Sequence, residues 1–220
     1  MFRTGYSRWL AIAIVAATCV LTASVGWAQR QPPDTFQVNY FSNANNSAGT
    51  DAEVRIINTG ANAPSYPPNN LCAMIYVFDN KQELKECCGC LISTNGLAEL
   101  SLNNNLVSNP FDGRSPKDGD IKIVSAAPND NFGGVPCDPT GGGIGGNGKY
   151  VLNIVPTVNL RAWGTHVQND SNLTEDEYQN ATLSTGELDS LQEECFGIVT
   201  VGSGAGICGI GVGNSSTVCN

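Results

Sequence analysis

The chain has 220 residues, with 11 Lys and Arg against 20 Asp and Glu, a formal net charge of −9. That acidity repels phosphate backbones and anionic lipid surfaces, which excludes nucleic acid as a partner. Only 14% of the residues are charged, while Gly and Asn are abundant and there are nine cysteines. This composition suits a turn-rich, all-β domain in an oxidising space better than a helical cytoplasmic one.

Arg3 and Arg8 precede an uncharged apolar run from Trp9 to Val25, which ends in Gly26-Trp27-Ala28. Positive, apolar and small residues in that order read as a secretory signal peptide cut after Ala28. The run is short for a bilayer span, which needs about 20 apolar residues, so cleavage is expected and no membrane insertion after it. Thr18 stands before Cys19 where a lipidation site wants a smaller residue, so lipidation is not expected. The expected product is one extracellular domain, residues 29–220. Removal of the leader takes away Cys19 and leaves eight cysteines: Cys72, Cys87, Cys88, Cys90, Cys137, Cys195, Cys208 and Cys219. An even number in an exported chain reads as disulfides.

In the predicted domain, Phe36 to Phe41 alternates, with Phe36, Val38 and Tyr40 opposite Gln37 and Asn39, and reads as a strand. Ala52 to Asn58 is a second strand. Leu71 to Phe78 is apolar on both faces and reads as a buried central strand. Asp79 to Glu83 turns the chain, and Glu86 to Thr94 is the next strand. Asn95-Gly96 and the alternating Leu97 to Leu102 then predict a type I′ hairpin. Asp120 to Ala126 is a strand with Ile121 and Ile123 inward. Tyr150 to Val155 and Val158 to Val167 are two more, or one bent at Pro156. Thr174 with Glu177 predicts a short capped helix. Ser184 with Glu187, flanked by Leu183 and Leu188, predicts an amphipathic helix over Thr185 to Cys195. Phe196 to Val201 reads as a last strand, followed by a Gly-rich tail. The expected fold is mostly β: an antiparallel sandwich, Ig-like or jelly-roll-like, stapled by disulfides and carrying one or two short C-terminal helices.

The Cys87-Cys88-Gly89-Cys90 cluster with His166 suggests zinc, but its spacing is wrong for paired zinc cysteines, and export favours disulfides. Counting back from the Asp79 to Glu83 turn puts Cys72 near Cys90, a candidate staple. Cys87 and Cys88 point to opposite faces and are expected to tie the strand to the Cys137 loop and the Cys195 helix. Cys208 and Cys219 would close the tail. His166, the only histidine, has no nucleophile elbow to serve and reads as an ordinary strand residue. Gly141 to Gly146 and Gly204 to Gly209 match a dinucleotide fingerprint in letters, but neither opens a helix in a strand–helix–strand unit. Asp112, Asp118, Asp120 and Asp130 crowd two loops and are a weak Ca²⁺ candidate, without EF-hand spacing. Glu53, Glu99 and Asp120 lie on predicted strands and are the candidate carboxylates for a hydrolase, though outward solvated faces explain them as well. Trp163 is the candidate sugar-stacking residue, with core packing as its ordinary role. Five Asn-x-Ser/Thr triplets, at Asn45, Asn169, Asn172, Asn180 and Asn214, matter only in a host that glycosylates them.

The run from Asn70 to Asp79, the Glu86 to Cys90 cluster, Leu160 to His166 and the Leu183 to Cys195 segment together resemble uncharacterised secreted, cysteine-containing proteins of soil bacteria, of acidobacterial type. The resemblance implies a secreted single-domain protein and no activity. The leading strand Asn39-Tyr40-Phe41 resembles, in architecture, sandwich subunits that polymerise by donating a strand. The sequence therefore predicts a non-catalytic structural protein of a filament, matrix or adhesion assembly, with self-association or an extracellular surface as partner and no cofactor. The alternative is a carbohydrate- or calcium-binding extracellular module, and a hydrolase with dispersed carboxylates stands third.

Overall fold

The computed structural model describes residues 34–42, 50–60, 69–128, 137–141, 154–169 and 172–201. Alternating burial shapes its strands. In β2, Glu53–Asn58, residues Val54, Ile56 and Asn58 are buried while Glu53, Arg55 and Ile57 face outward. In β3, Leu71–Asp79, every residue before Asp79 is buried, as expected for a strand covered on both faces. The others are β1 Phe36–Ser42, β4 Leu84–Ile92, β5 Leu97–Ser101, β6 Asp118–Ala126, β7 Leu160–Asn169, β8 Asn172–Glu177 and β9 Gln179–Asn180. They form two antiparallel sheets. Sheet A runs β4-β3-β6-β1-β9 and sheet B runs β5-β2-β7-β8. A π-helical turn at Leu102–Leu106 follows β5, and the helix α1 spans Thr185–Thr200.

Two apolar cores explain why β3 has no polar face. Leu71, Ala73, Ile75 and Val77 pack between the sheets against Val54, Ile56, Leu160 and Ala162. Cys72, Met74, Tyr76 and Phe78 point the other way, into a second core with Leu191, Cys195 and Ile198 of α1. The molecule is thus a mostly β sandwich, not closed into a barrel, with a helix and a loop laid over sheet A. Full burial of a Leu, Ile or Met side chain contributes about 1.5–3 kcal/mol, so β3 holds the layers together.

Two disulfides fasten that outer layer: Cys72–Cys137 and Cys87–Cys195. Cys88 and Cys90 are disulfide-bonded as well. The expected Cys72–Cys90 staple is corrected. The β3–β4 register breaks between Val77 and Phe78: Phe78 lies opposite Leu84, but Val77 lies opposite Glu86. Lys85 is the extra residue of a bulge. One inserted residue shifts the register by one and exchanges the faces. Cys90 therefore opposes Ala73 and faces the sandwich interior, while Cys72 faces outward to Cys137. Cys87 and Cys88 do point to opposite faces, but the Cys137 loop and the Cys195 helix both lie on the face of Cys87.

The Asn95-Gly96 hairpin is also corrected. The turn exists, with the Gly96 amide donating to the Ser93 carbonyl at 2.8 Å. Of its central residues, only Asn95 has a positive φ, 59°, whereas a type I′ turn requires two. The strands it joins diverge: β4 pairs with β3 in sheet A and β5 pairs with β2 in sheet B. The turn is a corner between sheets.

Near the C-terminus, Thr174 to Glu177 is not a helix. It belongs to β8, which pairs with β7 from Trp163 to Asn169. The chain then crosses to sheet A, where β9 pairs with β1. Ser184 caps α1 as expected, its Oγ accepting from the Glu187 amide at 3.0 Å. The expected strand from Phe196 is instead the last turns of α1, because Ile198 continues the buried face set by Leu191 and Cys195. The expected strand from Tyr150 reaches the described residues only at Ile154 and Val155, which are not strand; Pro156 makes an isolated bridge to Ala126. The leader, the tail with Cys208 and Cys219, Asp130, Asn45 and Asn214 lie outside the described residues, as do both glycine motifs apart from Gly141.

Candidate functional site

The alternation expected of β1 is present, but its polar face is the buried one. Gln37, Asn39 and Phe41 point between the sheets, and Tyr40 is half exposed. β8 pairs with β7 only from Trp163 onward, so Gln37 replaces strand partners that the start of β7 lacks. The Gln37 side chain donates to the Leu160 carbonyl and accepts from the Ala162 amide at 3.1 Å. Asn39 Nδ2 donates to Asp176 Oδ1 at 2.7 Å.

Asp176 also binds His166, with 2.8 Å between Oδ1 and Nε2. Tyr40 stacks on the His166 ring, centroids 3.9 Å apart and planes 9° from parallel. Gly164 makes room: a Cβ there would lie 3.1 Å from the Tyr178 ring and 3.3 Å from the Asn39 amide. Burial works to raise the Asp176 pKa, but hydrogen bonds from Asn39 and His166 outweigh it and hold the carboxyl below its usual range. His166 is buried, and its Nδ1 is enclosed without a hydrogen-bond partner. The group locks β1, β7 and β8 together. A general base must reach its substrate's proton, and neither ring nitrogen is open to one.

The outer face of sheet B is the second arrangement. On β7, Leu160 and Ala162 are buried inward, and Trp163 lies on the opposite, solvent-side face, only partly buried. It is not a core residue. Trp163 is directly opposite Arg55 on β2 and Glu177 on β8, and Arg55 is opposite Glu99 on β5. The row Glu99–Arg55–Trp163–Glu177 crosses all four strands, about 14 Å at the usual strand spacing. Arg55 pairs with Glu53 at 2.7 Å, Glu175 at 3.1 Å and Glu99 at 3.2 Å. The hydrogen bonds that Arg55 donates to Glu99 and Glu175 push its pKa still higher, so the guanidinium stays charged. Arg161 lies 3.5 Å from Glu177. The candidate carboxylates Glu53 and Glu99 thus share one arginine. Asp120 accepts from Gln82 at 2.8 Å in sheet A and is not part of this group.

A third cluster surrounds the β3–β4 bulge. The Lys85 side chain is 6% exposed and meets Glu83 at 2.8 Å, Asp79 at 3.1 Å and Asp112 at 3.2 Å. Burial disfavours its charge, but the three carboxylates prevail and raise its pKa. Glu86, 1% exposed, faces the sandwich interior and accepts from Ser108 Oγ at 3.1 Å and the Asn109 amide at 3.0 Å. Burial dominates there and lifts its pKa to about 7.

Of the calcium candidates, Asp112 is engaged by Lys85 and Asp120 by Gln82. Among the described residues, no three His, Cys, Asp or Glu side chains converge on a metal position. No described helix is long and apolar enough to cross a membrane. Lys85, Glu86, Arg55 and the two partners of His166, Tyr40 and Asp176, are not singled out as site residues by the sequence. The one available signal was Lys85-Glu86, a charged pair in a strand otherwise apolar from Leu84 to Ile92. No protein-family model, curated protein or solved structure matches the chain.

Proposed function

We propose that the protein is a non-catalytic extracellular contact module whose working surface is the outer face of sheet B, with Trp163 as the anchor for a carbohydrate. The observation that carries this reading is the outward position of Trp163 in a row of acidic and basic side chains crossing four strands. An indole stacks on the C–H face of a sugar ring, while flanking carboxylates and a guanidinium bond its hydroxyls. Arg55, held by three carboxylates, gives the surface fixed polar groups. The disulfides support an oxidising location. The enclosure of the lone histidine's other ring nitrogen, Nδ1, supports binding rather than catalysis.

Calorimetry against a panel of neutral oligosaccharides tests the proposal. Binding is expected to weaken at least about tenfold in Trp163→Ala, while Val201→Ala, an exposed change at the end of α1, leaves it intact. Absence of binding to every glycan, or binding indifferent to Trp163→Ala, would contradict it.

Self-assembly by strand exchange is a second reading. Seven residues of β1 pair with β6, whereas on its other side β9 covers only Gln37 and Val38. A strand from a second chain could extend that edge. Electron microscopy at high concentration is expected to find rods on this reading; monodisperse monomers would rule it out.

A further inference from the structure

A cleft of about 460 Å³ opens between the β3–β4 turn and the loop leading into β6. Its lining holds four cations, Lys81, Lys85, Arg114 and Lys117, and four carboxylates, Asp79, Glu83, Asp112 and Asp118. Lys85 draws Asp79, Glu83 and Asp112 onto itself. Lys81, Arg114 and Lys117 are exposed and make no ion pair among the described residues. Every other described Lys or Arg has a carboxylate partner: Arg55 with three, Lys122 with Glu187 and Arg161 with Glu177. The unpaired cations of the described chain are thus gathered at one cleft.

The walls are fixed in shape. Asp79 Oδ1 accepts from the Lys81 and Glu83 amides at 2.9 and 3.0 Å, and the Asp79 carbonyl accepts from the Gln82 amide at 3.0 Å. Across the cleft, the Gly113 amide donates to the Pro110 carbonyl at 2.9 Å and the Arg114 amide to Asp112 Oδ1 at 3.1 Å. Gly113 has a φ of +70° and open space around it, so it is required for the turn rather than for a close approach.

We infer that this cleft is a second binding site, for an acidic carbohydrate whose sugar rings carry carboxylates. The volume is in the range of small-molecule sites and large for a single inorganic anion. Three cations meet carboxylates, and Arg114 can do so through two parallel hydrogen bonds. The Asn80 amide and the exposed Asp118 carboxylate supply the donors and acceptor that sugar hydroxyls need. A nucleic acid presents phosphates along its whole length to a protein of net charge −9, whereas a short uronate oligomer need present its charge only to the cleft.

Calorimetry of the protein with its disulfides intact tests this, using oligogalacturonate, a neutral oligosaccharide of equal length, inorganic phosphate and single-stranded DNA. Oligogalacturonate is expected to bind saturably and more weakly as salt rises. Its affinity is expected to fall at least about tenfold in the Arg114→Ala/Lys117→Ala variant. Both side chains are exposed on a loop, and unchanged melting would verify folding. Trp163→Ala is expected to leave this binding unchanged, which separates the site from the sheet B surface. No binding of oligogalacturonate, binding indifferent to the double substitution, or equal displacement by phosphate or DNA would each overturn the assignment.

Discussion

Glu86 is a carboxylate inside the sandwich whose burial outweighs the hydrogen bonds that it accepts. Its folded pKa of about 7 lies above its ordinary 4.5, so the folded state holds the proton more tightly. The associated stability is fully present below pH 4.5 and is lost as pH rises through 7. At about 1.4 kcal/mol per unit, the loss reaches roughly 3 kcal/mol. Denaturant unfolding across pH 4 to 9 is expected to show this decline. Glu86→Gln, neutral at every pH, is expected to flatten it and to be the more stable protein at pH 8. A parallel decline in the variant would assign the effect elsewhere. Gly89 has a steric role. A Cβ there would lie 1.9 Å from the Cys137 carbonyl oxygen, which is main chain and cannot swing aside. Gly89→Ala is expected to cost about 1–3 kcal/mol or more, as overpacking does, and a melting temperature within a degree of the parent would contradict the close packing of the Cys137 loop on β4.

At the scale of elements, strands with plain alternation or a continuous apolar run were legible: β1, β2, β3 and β6 fall where the periodicity puts them. The Ser184 cap placed the start of α1. What the sequence hid were decisions made by tertiary packing. Asn95-Gly96 marks a turn, but local chemistry cannot tell a hairpin from a corner between sheets. The bulge at Lys85 exists because its ammonium finds three carboxylates, two of them beside it on the turn and Asp112 on a distant loop. Without that loop in view, residue counting gave the wrong cysteine pair. Apart from Leu173, β8 is polar on both faces and lies at a sheet edge, so it carries no strand periodicity; its charges discourage further pairing. The helix is held to sheet A by Cys87–Cys195, which closes a separation of 108 residues. Replacing both cysteines with serine is expected to cost about 2–5 kcal/mol. The expected loss is greatest in the amide-exchange protection of α1. Protection of α1 unchanged in that variant would show that packing alone secures the helix.

At the scale of the whole molecule, sheet A is spent on structure. One face meets sheet B, and α1 and the Cys137 loop pack on the other. Sheet B has one face left, and that face holds Trp163. The sequence pointed to Trp163 as a sugar-stacking residue, but strand alternation could not say which face it took; the inward Leu160 and Ala162 decide that. His166 could not be judged from the sequence either, because Tyr40 and Asp176 reach it from other strands. A chain expressed from Gln29 has Trp163 as its one tryptophan, because Trp9 and Trp27 precede that residue. Its fluorescence therefore reports on the proposed surface alone. Titration with neutral oligosaccharides is predicted to shift or quench that emission saturably, with the midpoint matching the calorimetric affinity. Emission unmoved by a glycan that calorimetry shows to bind would contradict Trp163 as the anchor of the working surface.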